Sequence, residues 1–362
     1  MSENFSGIQY KEYMMKIRVL LKELPPFCPE FFRGIENTTL VRTRYAYAGD
    51  LRTFFRFVVS ELPEFNGRDI PSLALADLDR ISTTDIERYL SYVSLYTETN
   101  ENGGERSLTN QERAKARKIA TLRSLYKYFY KKEKIKTNPP SLVDSPTIRD
   151  KNIIRLEPNE VADLLDIVES GQGLNARQQK FHERTVARDL AILTLFLGTG
   201  IRISELVGID MNDINFSSNE FSIIRKGGKQ DILVFGDEAR DALLKYMLQR
   251  EKLIAAEGHE EALFLSLQNK RISVRSVENL VKKYTQIATP QKRISPHKLR
   301  STYGTALYRE TGDIYLVADV LGHRDVNTTR KHYAAISEDR RRLAAEKIKL
   351  RDDASSKPEN TD

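Results

Sequence analysis

The sequence has a single cysteine, Cys28, among 362 residues. One thiol cannot form an internal disulfide and is too few for a zinc site built on cysteines, so a secreted disulfide scaffold is excluded. Long apolar runs are also lacking. The longest, Ala191 to Leu197, is far shorter than the ~18–20 residues that span a membrane. The first residues lack the layout of a signal peptide, and we therefore expect a cytoplasmic protein.

The net charge of +7 is modest for this length, but it is concentrated in one segment. Residues 105–136 contain eleven basic and three acidic residues, a local net charge of +8. A concentrated positive stripe predicts a polyanionic partner, and the alternative is a solvated helix face. With 40% hydrophobic and 30% charged residues, the chain has the composition of a globular protein of about two domains.

The first part of the chain is predicted to be a small all-helical unit. Apolar spacing predicts helices over 8–24, 38–61 and 109–132. A capping box from Thr84 to Glu87 would open a further helix that ends at about Tyr96, followed by a loop over 97–108. Residues 137–157, with Asn138-Pro-Pro140 and Ser145-Pro146, suit an exposed linker.

The second part is predicted to be mostly helical with one small antiparallel sheet, so the whole fold is mainly α. Two strands over 220–225 and 231–235, joined by Lys226-Gly-Gly-Lys229, have the pattern of a hairpin. A helix begins at Pro158 because proline favours the first helical turn. The remaining helices are expected at 187–198, 237–256, 273–287, 296–311, 314–321 and 337–351, before a polar tail.

Several side chains in this second part carry candidate chemistry. Arg202 follows a buried helix, where a guanidinium needs an anionic partner, and Glu205 is spaced to orient it. His297 and Arg300 share a helix face, with Ser295 as a predicted N-cap and Pro296 as the first helical residue. The helix dipole at that position favours a neutral imidazole, which can accept a proton.

Three more groups complete the set: Lys226 at the hairpin turn, His323 in a turn, and Tyr333 on a short helix that Asn327 would cap. Each group alone also has an ordinary structural interpretation, such as an ion pair, a turn lysine or a packed tyrosine. Together they can perform phosphoryl transfer. Arginines hold the phosphate oxygens, a tyrosine attacks phosphorus, a histidine takes the phenol proton, and an ammonium protonates the leaving oxygen.

The sequence at this point resembles the tyrosine recombinases, or phage integrase family. The resemblance extends over about residues 38–350. Within the family the chain looks most like the single-protein Xer recombinases of the XerS type, which resolve chromosome dimers in some Gram-positive bacteria. A helix before residue 38 and the Arg225-Lys-Gly-Gly-Lys229 hairpin favour that subgroup. The segments that carry the resemblance are Gly198-Thr-Gly-Ile-Arg-Ile-Ser-Glu-Leu206, the hairpin, Pro296-His-Lys-Leu-Arg300 with the following Ser301 to Leu307, and Leu321-Gly-His-Arg324 through Tyr333.

The resemblance implies a role for each group and no metal, ATP or other cofactor. Tyr333 would be the nucleophile that forms a 3′-phosphotyrosine bond, and Lys226 the general acid for the 5′-hydroxyl. Arg202 and Arg300 would clamp the phosphate, with Glu205 behind the first arginine. His297 would be the base near the tyrosine, and His323 a phosphate contact.

The resemblance also implies the domains and partners. After a helical extension (1–37), a SAM-like core-binding domain (38–137) and a linker (138–157) would precede the catalytic domain (158–352) and a polar tail (353–362). The two domains would close on double-stranded DNA at a palindromic site, as a homotetramer on synapsed DNA, with a septal DNA translocase as a further partner and no membrane. The candidate phosphate contacts are Arg44, Lys115, Arg117, Lys118, Arg123 and Lys229.

One spacing departs from the family pattern. His323 and Tyr333 are ten residues apart, one more than in most relatives, and His332 occupies the usual place of the tyrosine. An insertion in the turn 324–327 would absorb the difference. Two other functions stay open: an integrase or excisionase of a mobile element, and a catalytically inactive DNA-binding regulator on the same fold.

Overall fold

The computed structural model describes residues 5–99, 105–148, 154–225, 228–322 and 326. The chain divides into two compact units between residues 151 and 152. Within the described ranges, each unit consists mostly of helices and has one small antiparallel sheet. The predicted mainly α fold is therefore confirmed.

The first unit is a group of helices around an aromatic core, and its largest fully buried side chains include Phe54, Phe55, Tyr89 and Phe129. These rings meet mostly at tilted or edge-to-face angles, the geometry that the aromatic quadrupole favours. Its elements are α1 (Phe5–Leu21), α2 (Cys28–Gly34), α3 (Val41–Glu61), α4 (Thr83–Tyr92), β1 (Leu95–Thr99), β2 (Glu105–Thr109) and α5 (Glu112–Lys131).

Helix α5 buries the face that its apolar spacing predicts. Ile119, Leu122, Leu125, Tyr126 and Phe129 are each at most 1% exposed. Burying a large apolar side chain contributes about 1.5–3 kcal/mol, so this face holds the basic helix against the core.

Two local predictions in the first unit are wrong, and one helix is not predicted. Residues 97–108 do not form a plain loop, because β1 and β2 pair antiparallel from Leu95↔Thr109 to Thr99↔Glu105. The capping box that opens α4 is formed by Ser82 and Asp85, two residues before the predicted one. Helix α2, which the sequence pattern did not predict, adds Phe31 to the core.

The predicted linker is only partly exposed. Pro139, Pro140 and Val143 are buried, and Val143 belongs to the core of the first unit. The Arg123 guanidinium on α5 donates to the carbonyls of Pro140 and Val143, which fastens this stretch to the unit. The proposed boundaries at residues 38, 138 and 158 stay predictions.

The second unit is built from helices and a three-stranded sheet with the order β3-β4-β5. The predicted hairpin is confirmed: β4 and β5 pair antiparallel from Glu220↔Val234 to Ile224↔Gln230. The elements are α6 (Pro158–Ser170), α7 (Ala176–Thr199), α8 (Ile203–Leu206), β3 (Ile214–Asn215), β4 (Glu220–Ile224), β5 (Gln230–Val234), α9 (Asp237–Arg250), α10 (Val274–Ala288), α11 (Pro296–Thr311) and α12 (Ile314–Val320).

Two helices differ from their predicted lengths. Helix α7 begins at Ala176, eleven residues before the predicted start, and α9 ends at Arg250, six residues before its predicted end. At its C-terminal end, α12 packs on α11 through Val317 and Leu321. The predicted helix 337–351 and the polar tail lie outside the described residues.

Candidate active site

Arg202 lies just after the end of the buried helix α7. Gly200 ends that helix with a φ of +63°, a left-handed conformation that glycine adopts without strain. Arg202 precedes α8, and its Nη1 donates to Oε1 of Glu205 at 2.8 Å. The Glu205 side chain is 3% exposed and also accepts from the backbone N–H of Arg202 at 3.0 Å. Glu205 therefore orients the guanidinium, as its spacing predicts.

Arg300 reaches the same place from α11. It is 4% exposed, and its guanidinium donates to the carbonyl oxygens of Gly200 and Leu321. A buried guanidinium needs such acceptors, because an unpaired charge away from water costs several kcal/mol. The Arg300 guanidinium on α11 thus binds both the turn after α7 and the C-terminal end of α12.

The carbonyl oxygen of Leu321 is the point at which three arginines meet. Arg202 Nη2 donates to it at 3.1 Å, and also to the Gly322 carbonyl at 2.9 Å. Arg225, the last residue before the turn of the β4–β5 hairpin, donates to it through Nη1 at 3.2 Å. Arg300 is the third donor. We call Arg202, Arg225 and Arg300 the arginine cluster.

Two carboxylates among the described residues pair with members of the arginine cluster. Glu205 binds Arg202 and lies beside Arg225, and Asp231 binds Arg225. Burial alone would raise the pKa of Asp231, but the hydrogen bond and charge of Arg225 outweigh that effect and hold the pKa below its ordinary value. Three convergent guanidinium groups suit an anion with several oxygens, because planar guanidinium groups bind phosphate oxygens with two parallel donors.

His297 is the second residue of α11, directly after Pro296, as predicted. It is exposed, and it stands three residues before Arg300, so the two are neighbours on the helix surface. Ser295 occupies the N-cap position, as predicted, although its side chain makes no capping hydrogen bond.

Lys226, His323 and Tyr333 lie outside the described residues. Lys226 directly follows Arg225 in the sequence, and His323 directly follows Gly322. Lys226 therefore adjoins a member of the arginine cluster in the sequence, and His323 adjoins a residue whose carbonyl Arg202 binds. Their catalytic roles stay predictions.

Arg225 is a member of the cluster to which the hairpin motif alone assigned no role. Its detectable signal in the sequence is Asp231, an acid on the facing strand that pairs with it. The other acceptors of Arg225 are main-chain carbonyls of Val320 and Leu321, almost a hundred residues further on, and such acceptors leave no mark in a sequence.

The candidate DNA contacts on the first unit fall into two groups. Arg44 and Lys118 are each 4% exposed. Their charges pair with Glu36 and Asp50 within the unit, so the structure gives both side chains a role in packing.

Three other candidates have more access to solvent. The Arg117 side chain is 46% exposed although it pairs with Asp50, Lys115 is half-buried, and Lys229 is exposed beside the hairpin turn. Arg123 is half-buried and donates to main-chain carbonyls, as described above. Phosphate binding by any of these residues stays a prediction.

Comparison with known families now identifies the chain. The model of the phage integrase family matches residues 155–340, just over half of the chain and the whole arginine cluster. The chain belongs to this family, the tyrosine recombinases, which cleave and rejoin DNA through a phosphotyrosine intermediate. Among the described residues, no helix has both the length and the apolar character needed to cross a membrane.

Individual relatives show how far the similarity extends. Tyrosine recombinase XerC of Caldanaerobacter subterraneus subsp. tengcongensis is 38% identical over 320 residues, 84% of this chain and 82% of that protein. Tyrosine recombinase XerS of Streptococcus agalactiae is 29% identical over 358 residues, 92% and 98% of the two chains. Among solved structures, the Tn1549 transposon integrase in complex with circular intermediate DNA has a TM-score of 0.61 at 18% identity, over 89% of this chain and 100% of that one. The sequence is thus Xer-like over most of its length, and the solved structure shows the shared fold.

Proposed function

We propose that this tyrosine recombinase acts at a palindromic DNA site and resolves chromosome dimers. The observation that carries the chemistry is the arginine cluster: three guanidinium groups that share one acceptor oxygen, at Leu321. A scissile phosphate would replace that carbonyl as the acceptor for Arg202 and Arg300. Such preorganised donors stabilise the charge that develops on the phosphate oxygens in the transition state.

In the proposed reaction, the Tyr333 hydroxyl oxygen attacks phosphorus and the bond to the 5′-oxygen breaks. His297 takes the phenol proton, and the Lys226 ammonium gives a proton to the leaving 5′-oxygen. His323 contacts a non-bridging oxygen, while Glu205 keeps Arg202 in place. The phosphotyrosine bond retains the energy of the broken diester, so the 5′-hydroxyl of a partner strand can reverse the reaction without ATP or a metal.

The first unit supplies the DNA-clamping surface in this proposal. Its basic helix α5 would contact phosphates of the duplex and so set affinity and register, while other side chains select the site. Four protomers would assemble on two synapsed sites in the cytoplasm, and a septal DNA translocase would bring the sites together.

The similarity to XerS supports the chromosomal role, because it covers 98% of that protein and is not confined to the catalytic part. The second candidate is the integration or excision of a mobile element, which the fold of the Tn1549 transposon integrase favours. Deleting the gene separates the two. A chromosome-dimer resolvase leaves dimeric chromosomes in dividing cells, whereas a mobile-element integrase leaves the element unable to excise.

The catalytic part is tested with a suicide DNA substrate, in which a nick beside the cleavage position lets the 5′-fragment diffuse away. The wild-type protein should accumulate a covalent protein–DNA adduct, and Tyr333→Phe should form none because the nucleophilic oxygen is missing. Tyr315→Phe is the matched control, since Tyr315 is 71% exposed on α12. An adduct that persists in Tyr333→Phe would refute the assignment, and DNA binding without an adduct in the wild type would favour the inactive regulator.

A further inference from the structure

Arg225 is anchored on three sides at the base of the turn that carries Lys226. Its Nε donates to Asp231 Oδ2 at the start of the facing strand. Its Nη2 donates to the carbonyl of Val320 at 3.1 Å and its Nη1 to that of Leu321 at 3.2 Å. The side chain is 10% exposed, so these three hydrogen bonds lie largely away from bulk water.

The main chain of Arg225 closes the same turn. Its N–H donates to the carbonyl of Lys229 at 2.8 Å, and its carbonyl accepts from the N–H of Gly228 at 3.0 Å. Consecutive Cα atoms are about 3.8 Å apart. The anchoring of Arg225 therefore holds in place the described residue that directly precedes Lys226 in the sequence.

Arg225 also packs against Gly322, the residue directly before His323 in the sequence. A Cβ atom at Gly322 would clash with the guanidinium of Arg225, so the two residues are packed without space between them. Glu205 Oε1 lies 4.0 Å from Nη1 of Arg225 and also binds Arg202. One carboxylate thus faces both the hairpin arginine and the predicted phosphate clamp.

We infer that Arg225 is a positioning residue that fastens the hairpin turn to the C-terminal end of α12, so that Lys226 reaches the leaving 5′-oxygen. The inference rests on the proposed function, because it takes Lys226 as the general acid. Lysine cannot replace this arginine, since one ammonium cannot serve a carboxylate and two carbonyls in a planar arrangement. Loss of Arg225 should therefore reproduce the loss of Lys226.

The distinguishing measurement compares two suicide DNA substrates in single-turnover cleavage. One has the ordinary 5′-bridging oxygen and the other has sulfur at that position. A thiolate leaves without protonation, so the sulfur substrate needs no general acid. Removing a general acid costs about 10²–10⁴-fold in rate. Arg225→Gln and Lys226→Ala should both lose at least about 10²-fold on the oxygen substrate and recover to within about tenfold of wild type on the sulfur substrate.

Arg271→Gln is the matched control for stability. The Arg271 side chain is 12% exposed, and like Arg225 it donates to one aspartate, Asp210, and to two main-chain carbonyls in the same unit. The Arg271→Gln variant should lower the melting temperature about as much as Arg225→Gln. Unlike Arg225→Gln, it should cleave the oxygen and sulfur substrates at equal rates. Asp231→Asn, whose side chain is 39% exposed in the wild type, keeps Arg225 and should show a smaller defect that sulfur also rescues.

The outcomes separate this inference from the proposed function. If Arg225→Gln and Asp231→Asn are as slow on sulfur as on oxygen while Lys226→Ala is rescued, Arg225 does not act through Lys226 and the inference is overturned, with the proposed function intact. If sulfur does not rescue Lys226→Ala, or the wild type forms no adduct, the role of Lys226 fails and the inference fails with it.

Discussion

Gly322 shows how closely one residue is constrained at the arginine cluster. Its φ is +58°, in the left-handed region where a side chain costs about 1–3 kcal/mol. A Cβ there would also meet the guanidinium of Arg225. Because a guanidinium is the far end of a flexible side chain, it can move aside, but only by giving up its hydrogen bonds at the end of α12.

Gly322→Ala should therefore damage catalysis more than stability. Gly258→Ala is the matched control, since Gly258 has a φ of +78° with open space around it. We expect both variants to lose about 1–3 kcal/mol in the free energy of unfolding from backbone strain. Only Gly322→Ala should also lose tenfold or more in adduct formation on suicide DNA. Equal cleavage rates in the two variants would contradict the packing argument.

At the residue scale, the sequence predicts side chains that pair locally and misses those that pair with distant backbone. Glu205 is three residues after Arg202, so the ion pair could be inferred from helical spacing alone. Chemistry predicts the convergence of Arg202 and Arg300, because two arginines near a histidine suit one phosphate. Nothing local indicates that Leu321 supplies their shared acceptor, since any residue has a carbonyl.

Between elements, Asp50 is a buried polar link between α3 and α5. The carboxylate is 3% exposed and accepts from Lys118 Nζ at 3.1 Å, from Thr121 Oγ1 at 3.0 Å and from Arg117. The Lys118 side chain is itself only 5% exposed. Removing one partner of a buried ion pair leaves an uncompensated charge and costs about 3–5 kcal/mol.

Asp50→Ala should therefore destabilise the first unit by about 3 kcal/mol or more, measured by urea unfolding. The double variant Asp50→Ala with Lys118→Met should be more stable than Asp50→Ala alone, because the buried ammonium is gone. Lys118→Met by itself is the control, and its cost should be smaller, since Arg117 and Thr121 still bind Asp50. Additive costs in the double variant would show that the pair is not coupled.

At the element scale, prediction succeeded where the apolar period is strong and failed where polar residues dominate. Helix α5 has a clear apolar stripe and was predicted within three residues at each end. The first half of α7, Ala176–Arg188, is mostly polar, so its helical period is weak and only the apolar second half was found. The strands β1 and β2 flank the Asn- and Gly-rich residues 100–104, whose turn composition led to the prediction of a loop.

For the whole molecule, the net charge of +7 says less about DNA binding than the number of basic side chains that can reach a phosphate. Residues 105–136 have a net charge of +8, but structural pairing uses part of it. Lys118 is buried against Asp50, while Lys132 and Lys134 pair with Glu30 on α2. Side chains committed in this way release few counterions when DNA binds, so the local net charge overstates the number of phosphate contacts.

The salt dependence of DNA affinity tests which charges reach the duplex. Each neutralised phosphate contributes about −0.9 to the slope of log K against log salt concentration. Lys115→Gln should therefore make the slope less steep by about one, and Lys118→Met should leave it unchanged while lowering stability. Lys245→Gln, an exposed position on α9, is the control for loss of one charge. The slopes come from fluorescence anisotropy with a duplex of fixed sequence at several salt concentrations. A change of slope in Lys118→Met would mean that its ammonium leaves Asp50 for a phosphate, and the assignment of Lys118 to packing would then be wrong.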